Sequence, residues 1–352
     1  MKKGRSLNEV LQEIEEFSRT KEDFIVNTDK IEFNKDGGGF LRFPDMYEYE
    51  LTELAHTQLS GAINIPAKYY NRMREEAPGL LERNVNHWFR NNPMKRMVRT
   101  LNGQARAFLS DRYRRIDNED LAGALLPVLN DFPGISIESC EATPNRFYIK
   151  AVTESLTTEI SKGDIVYGGV VLSNSEVGQG ALKIEPLIYR LVCLNGLIIP
   201  DYGMKKFHIG RAQETETFFS KLSDETIEAD DKAFWLKARD VLKAVLSEDV
   251  FGEITNTMRE ASEDIILDPI VTVERLSKKN GFNLTEQKSI LTNLLSHEKP
   301  TRYGLCNAVT RTAQEVESYD RATELEYAGS DILLMNSADW KEIALRPLFA
   351  RK

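Results

Sequence analysis

The chain has 352 residues, 41% hydrophobic, 29% charged and 9% aromatic. That composition excludes a disordered, collagen-like or disulfide-framework protein, and the length predicts two domains or one with a substantial appendage. Lys and Arg total 46 against 55 Asp and Glu, a formal net charge of −9, which excludes a globally basic nucleic-acid binder while leaving a local basic patch open.

Cys140, Cys193 and Cys306 form no CxxC pair, which argues for a reducing compartment and against zinc. The start, Met-Lys-Lys-Gly-Arg, leads into an acidic amphipathic stretch and not an apolar signal segment. No run approaches the roughly 18 apolar residues needed to cross a bilayer. The expectation is a cytoplasmic protein without a membrane partner.

Leu7, Val10, Leu11, Ile14 and Phe17 repeat at helical spacing and predict a helix over 6–19, capped by Ser6. Short strands are expected at 24–27, 31–33 and 40–43, with Gly37-Gly38-Gly39 giving the positive φ of a hairpin turn. From Glu50 to Phe89 the pattern is helical, broken at Ile65-Pro66 and Pro78-Gly79. Between Met97 and Gly210 it alternates with period two, in segments 146–152, 165–172, 181–185 and 187–194, interrupted by one helix over 119–129. Leu182 and Ile184 alternating with Lys183 and Glu185 predict a half-solvated antiparallel sheet, and Pro186 marks a bulge or an edge. After Gly210 helical stripes return, beginning with an acidic stretch over 214–231. The expected fold is α+β: an N-terminal segment (1–96) of a helix, hairpin strands and helices, an antiparallel sheet core with one helix (97–210), and an acidic helical region (211–352).

Charge is unevenly placed. From Arg83 to Arg115 there are nine cations, among them Arg90, Lys95, Arg96, Arg99, Arg106, Arg112, Arg114 and Arg115, against the single acid Asp111. Trp88, Phe89, Phe108 and Tyr113 are interleaved with them. Phosphates need mobile cations and unstacked bases need aromatic faces, so this segment is a candidate nucleic-acid surface. The competing reading is structural: aromatics in the core and arginines paired with acids. If 110–115 is extended, Arg112 and Arg114 project to one face and Tyr113 to the other.

Just upstream, Leu59, Ile63, Ile65, Tyr70 and Met73 have the apolar spacing of a helix-turn-helix. Ser60 is the small residue at the crossing, Asn64 suits a left-handed turn, and Pro66 starts a second helix whose exposed side would show Lys68, Asn71, Arg72 and Arg74. An ordinary αα-hairpin gives the same pattern.

Catalytic signatures are sparse. His56, His87, His208 and His297 form no metal-ligand spacing, and there is no Walker A loop and no GxSxG elbow. No cofactor is expected. Glu176 and Glu185, flanking Gly178 and Gly180, are the acids that a divalent metal would use if the protein were a nuclease or nucleotide-processing enzyme.

Several longer motifs carry a resemblance: 174–178 (Asn-Ser-Glu-Val-Gly), 189–196 (Tyr-Arg-Leu-Val-Cys-Leu-Asn-Gly), Val98-Arg99-Thr100, 107–114 (Ala-Phe-Leu-Ser-Asp-Arg-Tyr-Arg), Ile65-Pro66-x-x-Tyr69-Tyr70, 303–309 (Tyr-Gly-Leu-Cys-Asn-Ala-Val) and Tyr319-Asp320. Together they resemble the phage/plasmid-like protein family, also catalogued as domain of unknown function 932, over roughly Asp45 to Met335. The resemblance implies carriage by bacteriophages, plasmids and prophage islands, and supplies no activity or catalytic residue. It invites a fold-level analogy with single-strand annealing proteins, which are α+β and form rings or filaments. The expected function is a non-catalytic, oligomeric binder of nucleic acid, single-stranded DNA preferred, in recombination or replication. The alternatives are the metal-dependent nuclease or nucleotide-processing enzyme and a host-interaction or anti-defence protein.

Overall fold

The computed structural model describes residues 1–45, 47–200 and 224–345, and of residues 37, 224, 226–228, 297 and 345 the backbone alone. The fold is α+β, with two sheets and a helical C-terminal region. No helix among the described residues is long and apolar enough to cross a membrane. The expected boundary at 210/211, His208 and the first part of the acidic stretch fall outside the described residues.

The chain forms two compact units, one of Asn8–Glu119 with Ser175–Ala181, the other of Met1–Leu7, Asp120–Asn174 and Leu182–Lys352. These units do not follow the three consecutive blocks read from the sequence. The strands Lys95–Leu101 (β5) and Gln104–Ser110 (β6), grouped there with the later strands, pair instead with the N-terminal ones. With Glu22–Asn27 (β1), Glu32–Asn34 (β2), Phe40–Arg42 (β3) and Glu48–Leu51 (β4), they form a sheet in the order β1-β5-β6-β4-β3-β2. Its pairings are antiparallel except β4 with β6. A period-two pattern reports that a segment is a strand and carries no label for the sheet it joins.

In this unit the helices Glu53–Ala62 (α2), Ala67–Glu76 (α3) and Pro78–Asn91 (α4) follow the Leu7–Ser18 helix (α1). Leu59, Ile63, Tyr70, Met73, Leu81, Val85 and Phe89 bury against Phe33, Leu41, Val98 and Phe108 of the sheet. Asn64 takes the left-handed turn at φ 56° and Pro66 caps α3, as the spacing predicts. Gly39 is also placed as expected: its φ is 125°, and a Cβ there would stand 2.8 Å from the His56 ring.

The second unit holds a five-stranded antiparallel meander, Ile135–Ala142 (β7), Phe147–Glu159 (β8), Ile165–Asn174 (β9), Lys183–Arg190 (β10) and Asn195–Ile198 (β11). The helix Asn118–Asn130 (α5) leads into it, and six longer helices follow from Asp224 to Leu333. The half-solvated sheet is not what forms. Phe251, from the helix Glu248–Glu263, lies against Gly168 on one face, and Tyr327, from the helix Tyr319–Leu333, packs with Val152, Val171 and Leu187 on the other. The polar half of the alternation is therefore buried with partners. Lys150 is completely buried and pairs with Glu326, and Glu185 accepts a hydrogen bond from the Tyr327 hydroxyl. Pro186 makes neither a bulge nor an edge: pairing with β9 runs unbroken through Glu185↔Val171, Pro186↔Val170 and Leu187↔Gly169. Its carbonyl accepts from Ile199 just where β11 ends, so the missing N–H falls where the ladder is already running out.

Candidate nucleic-acid interface

All twelve cations and aromatics singled out from the sequence lie in the N-terminal unit, and they divide by exposure. Arg99 is fully buried. It faces the side of β5 that also carries Met97, where Ala107, Leu109 and Val177 form a small core with Tyr113 packed at its margin. Its guanidinium donates to both Asp23 carboxylate oxygens at 2.7 and 3.0 Å, to Asp117 at 2.6 Å and to the Glu176 carbonyl at 2.9 Å. Burial opposes its charge, but the hydrogen bonds and attraction of Asp23 and Asp117 outweigh that and hold its pKa above the ordinary arginine value.

Arg106 turns to the same cluster. In the β5–β6 register Arg99 faces Ala107 and Thr100 faces Ala105, so Arg106 is the unpaired residue of a β-bulge. The bulge re-aims its side chain to within 2.8 Å of the Glu176 carboxylate. Lys21 joins Asp117 at 3.0 Å and Glu176 at 3.2 Å, and the Asn118 backbone N–H donates to Glu176 at 2.8 Å. Burial raises both acids, and the cations around them more than offset it, leaving Asp117 and Glu176 below the usual carboxylate range.

Arg99, Arg106 and Tyr113 thus do not form the expected phosphate-and-stacking surface. Residues 111–117 contain no strand: the Tyr113 N–H closes a turn onto Ser110, and its hydroxyl donates to the Ser175 carbonyl at 2.7 Å. Ser175–Ala181 is the segment that the arginines and Tyr113 hold. Gly178 permits its close approach, with φ 79° and a site where a Cβ would stand 2.6 Å from Leu109. Gln58 completes the clasp, donating to the Val177 carbonyl at 2.7 Å and accepting from the Phe108 N–H at 2.8 Å.

Seven of the remaining nine residues are exposed, Trp88 among them. Arg112 and Arg115 are exposed, Arg115 standing 3.7 Å from Asp23; Arg114 is half-buried. Arg90 is exposed and pairs with Glu32 at 2.7 Å. Arg96 is half-buried over the Phe108 ring, 5.9 Å from its centroid, and burial lowers its pKa. Lys68, Arg72 and Lys95 are exposed; Arg72 pairs with Glu76 at 2.8 Å, and neither lysine has an ion pair among the described residues. Arg74 is half-buried and holds Glu53 at 2.7 Å.

Trp88 is 41% exposed and lines a cleft of about 340 Å³ that the sequence reading did not name. Its other walls are Tyr69 (49% exposed), the α2–α3 turn from Ala62 to Pro66, Asn84, Asn92 and Met94. The sequence signal was present on α4. Leu81, Val85 and Phe89 point inward at a spacing of four, and Asn84, Trp88 and Asn92 repeat that spacing on another face.

The two acids considered for a metal fall in different units, each with its own partners. Glu176 lies in the N-terminal unit among Lys21, Arg106 and Asn118, and Glu185 lies in the other unit beneath Tyr327. No group of three or more His, Cys, Asp or Glu placed to hold a metal ion occurs among the described residues.

A family model, described as a domain of unknown function (DUF932), matches residues 107–331. No curated protein and no solved structure matches the chain. The match takes in the 174–178 and 189–196 motifs and the C-terminal ones, and it begins later than the resemblance read from Asp45, so the Trp88 cleft lies N-terminal to it. With well over half of its length matched, the chain belongs to the DUF932 family.

Proposed function

We propose that this protein is a non-catalytic nucleic-acid-binding protein with a preference for single strands, acting as an oligomer in recombination or replication on a bacteriophage or plasmid. One observation carries the reading: two exposed aromatic rings, Tyr69 and Trp88, line one cleft in an element set that also displays Lys68 and Lys95. Stacking faces beside solvated cations are what a single strand needs, with affinity from the phosphates and tolerance of sequence from the rings. The surface lies on α3, α4 and the start of β5, because Arg99 of β5 and Arg106 of β6 are spent internally on Asp23, Asp117 and Glu176. The mobile-element setting rests on the motif resemblance alone.

The test is a fluorescence-anisotropy titration with single-stranded and duplex oligonucleotides at several salt concentrations, with and without Mg²⁺, followed by light scattering on the same samples. The expected result is binding that weakens with salt, favours the single strand, leaves the oligonucleotide intact and gives a mass above the 40.1 kDa of one chain. Mg²⁺-dependent cleavage would favour the nuclease alternative, and no binding at low salt would remove the proposal.

A further inference from the structure

We infer that the Trp88 cleft holds one unstacked nucleobase, stacked on Trp88 or Tyr69 and read along its edge by the amides of Asn64 and Asn92. This deepens the nucleic-acid reading and rests on it. The wall chemistry is the first support. The cleft is lined by the apolar Ile65, Pro66 and Met94 and by no charged residue, and its two exposed rings do not contact one another, Trp88 meeting the His87 ring edge-on at 5.3 Å between centroids. A flat, neutral, weakly hydrated group fits such walls, and each face of a base offers that surface.

The amides narrow the class further. The side chains of Asn64 and Asn92 have no hydrogen-bond partner among the described residues, and each presents a donor beside an acceptor. An aliphatic occupant would strip water from both amides and return nothing, whereas a base edge offers adjacent acceptor and donor groups in the pattern that asparagine matches on adenine. The volume, about 340 Å³, is at the small end of ligand clefts. A base already paired and stacked in a duplex cannot enter, so the cleft itself selects single strands. Lys68 precedes Tyr69 and Lys95 follows Met94 in the chain, so an exposed cation is tethered one residue from the wall at each of these two points, within reach of phosphates flanking the held base.

The experiment compares the full chain and its Trp88→Ala, Trp88→Phe and Asn92→Ala variants against single-stranded oligo(dA) and an abasic oligomer of the same length, with circular dichroism as the folding control. The native protein is expected to prefer oligo(dA) over the abasic strand. Trp88→Ala should weaken oligo(dA) binding by about tenfold to a hundredfold and leave the abasic strand unaffected. Trp88→Phe, which keeps a ring, should retain most of the preference, and Asn92→Ala should reduce it without altering the salt slope. Equal binding of both strands, or a preference that survives Trp88→Ala, overturns the inference while the nucleic-acid reading stands. Binding of neither strand at low salt overturns both.

Discussion

Replacing Arg99 with Gln separates a structural arginine from a phosphate-holding one. In the native fold its guanidinium is completely buried and satisfies Asp23 through two hydrogen bonds, Asp117 through one and the Glu176 carbonyl through another. Asp23 and Asp117 retain 12% and 24% side-chain exposure, so water cannot fully replace the lost cation. Glutamine is too short to span both acids and carries no charge, which leaves the mostly buried Asp23 to the exposed Arg115 at 3.7 Å and Asp117 to Lys21 at 3.0 Å. Breaking one partner of a buried pair costs about 3–5 kcal/mol. With a urea dependence of about 1–3 kcal/mol per molar, the midpoint should fall by roughly 2 M. Urea unfolding followed by tryptophan emission together with circular dichroism reads this, with Trp88 in the same unit as Arg99 and Trp235 and Trp340 in the other. Arg99→Lys should fall between, keeping the charge but losing the fork that engages Asp23. A variant with an unshifted midpoint and lost oligonucleotide binding would refute the argument and return Arg99 to the phosphate track.

Two further outcomes are expected. Lys68→Glu combined with Lys95→Glu should flatten the slope of log affinity against log salt by roughly 1.5, with folding unchanged, since both lysines are exposed; an unchanged slope moves the phosphate path elsewhere. His56 is buried against Tyr70, and burial, then Arg74, lowers its pKa from 6.5 to about 4. It is therefore neutral in the fold and binds a proton more readily when unfolded, so its stabilisation is full above pH 6.5 and drains away down to pH 4. The His56 contribution at pH 5 should be about 2 kcal/mol below that at pH 7.5, so His56→Gln should lose about that much less stability than the native protein between the two pH values; an equal pH response in the variant counts against it.

Local structure was legible wherever one residue decides it. Asn64 and Pro66 set the α2–α3 turn, Gly39 its hairpin, and the inward stripe of Leu81, Val85 and Phe89 the face of α4. Sheet membership was not, because β5 and β6 alternate as the strands of the second sheet do and only their partners differ. The charged cluster misled for a related reason. Nine cations against one acid in the linear segment take no account of Asp23, Asp117 and Glu176, which reach Arg99 and Arg106 from β1, from the approach to α5 and from the 175–181 loop. The cleft lay hidden because Asn, Tyr and Trp on a helix look like ordinary surface until Met94 and the Ala62–Pro66 turn enclose them.

The bulge at Arg106 and the pairing of β6 also govern how the protein can be cut. The family match begins at Ala107, in the middle of β6, two residues beyond the point where that strand pairs with β4. A polypeptide trimmed to 107–331 would keep Ser175–Ala181 but lose Gln58, which clasps it, and Arg99, which binds the Glu176 carbonyl. It would also carry a half strand stripped of β5, with Phe108 and Leu109 exposed and unpaired backbone beside them. The segment that relatives share is thus not a segment that can be excised. Expression of that piece alone should give aggregation where the full chain gives a folded protein, and any assay of the family's biochemistry belongs on the chain with its first 106 residues attached.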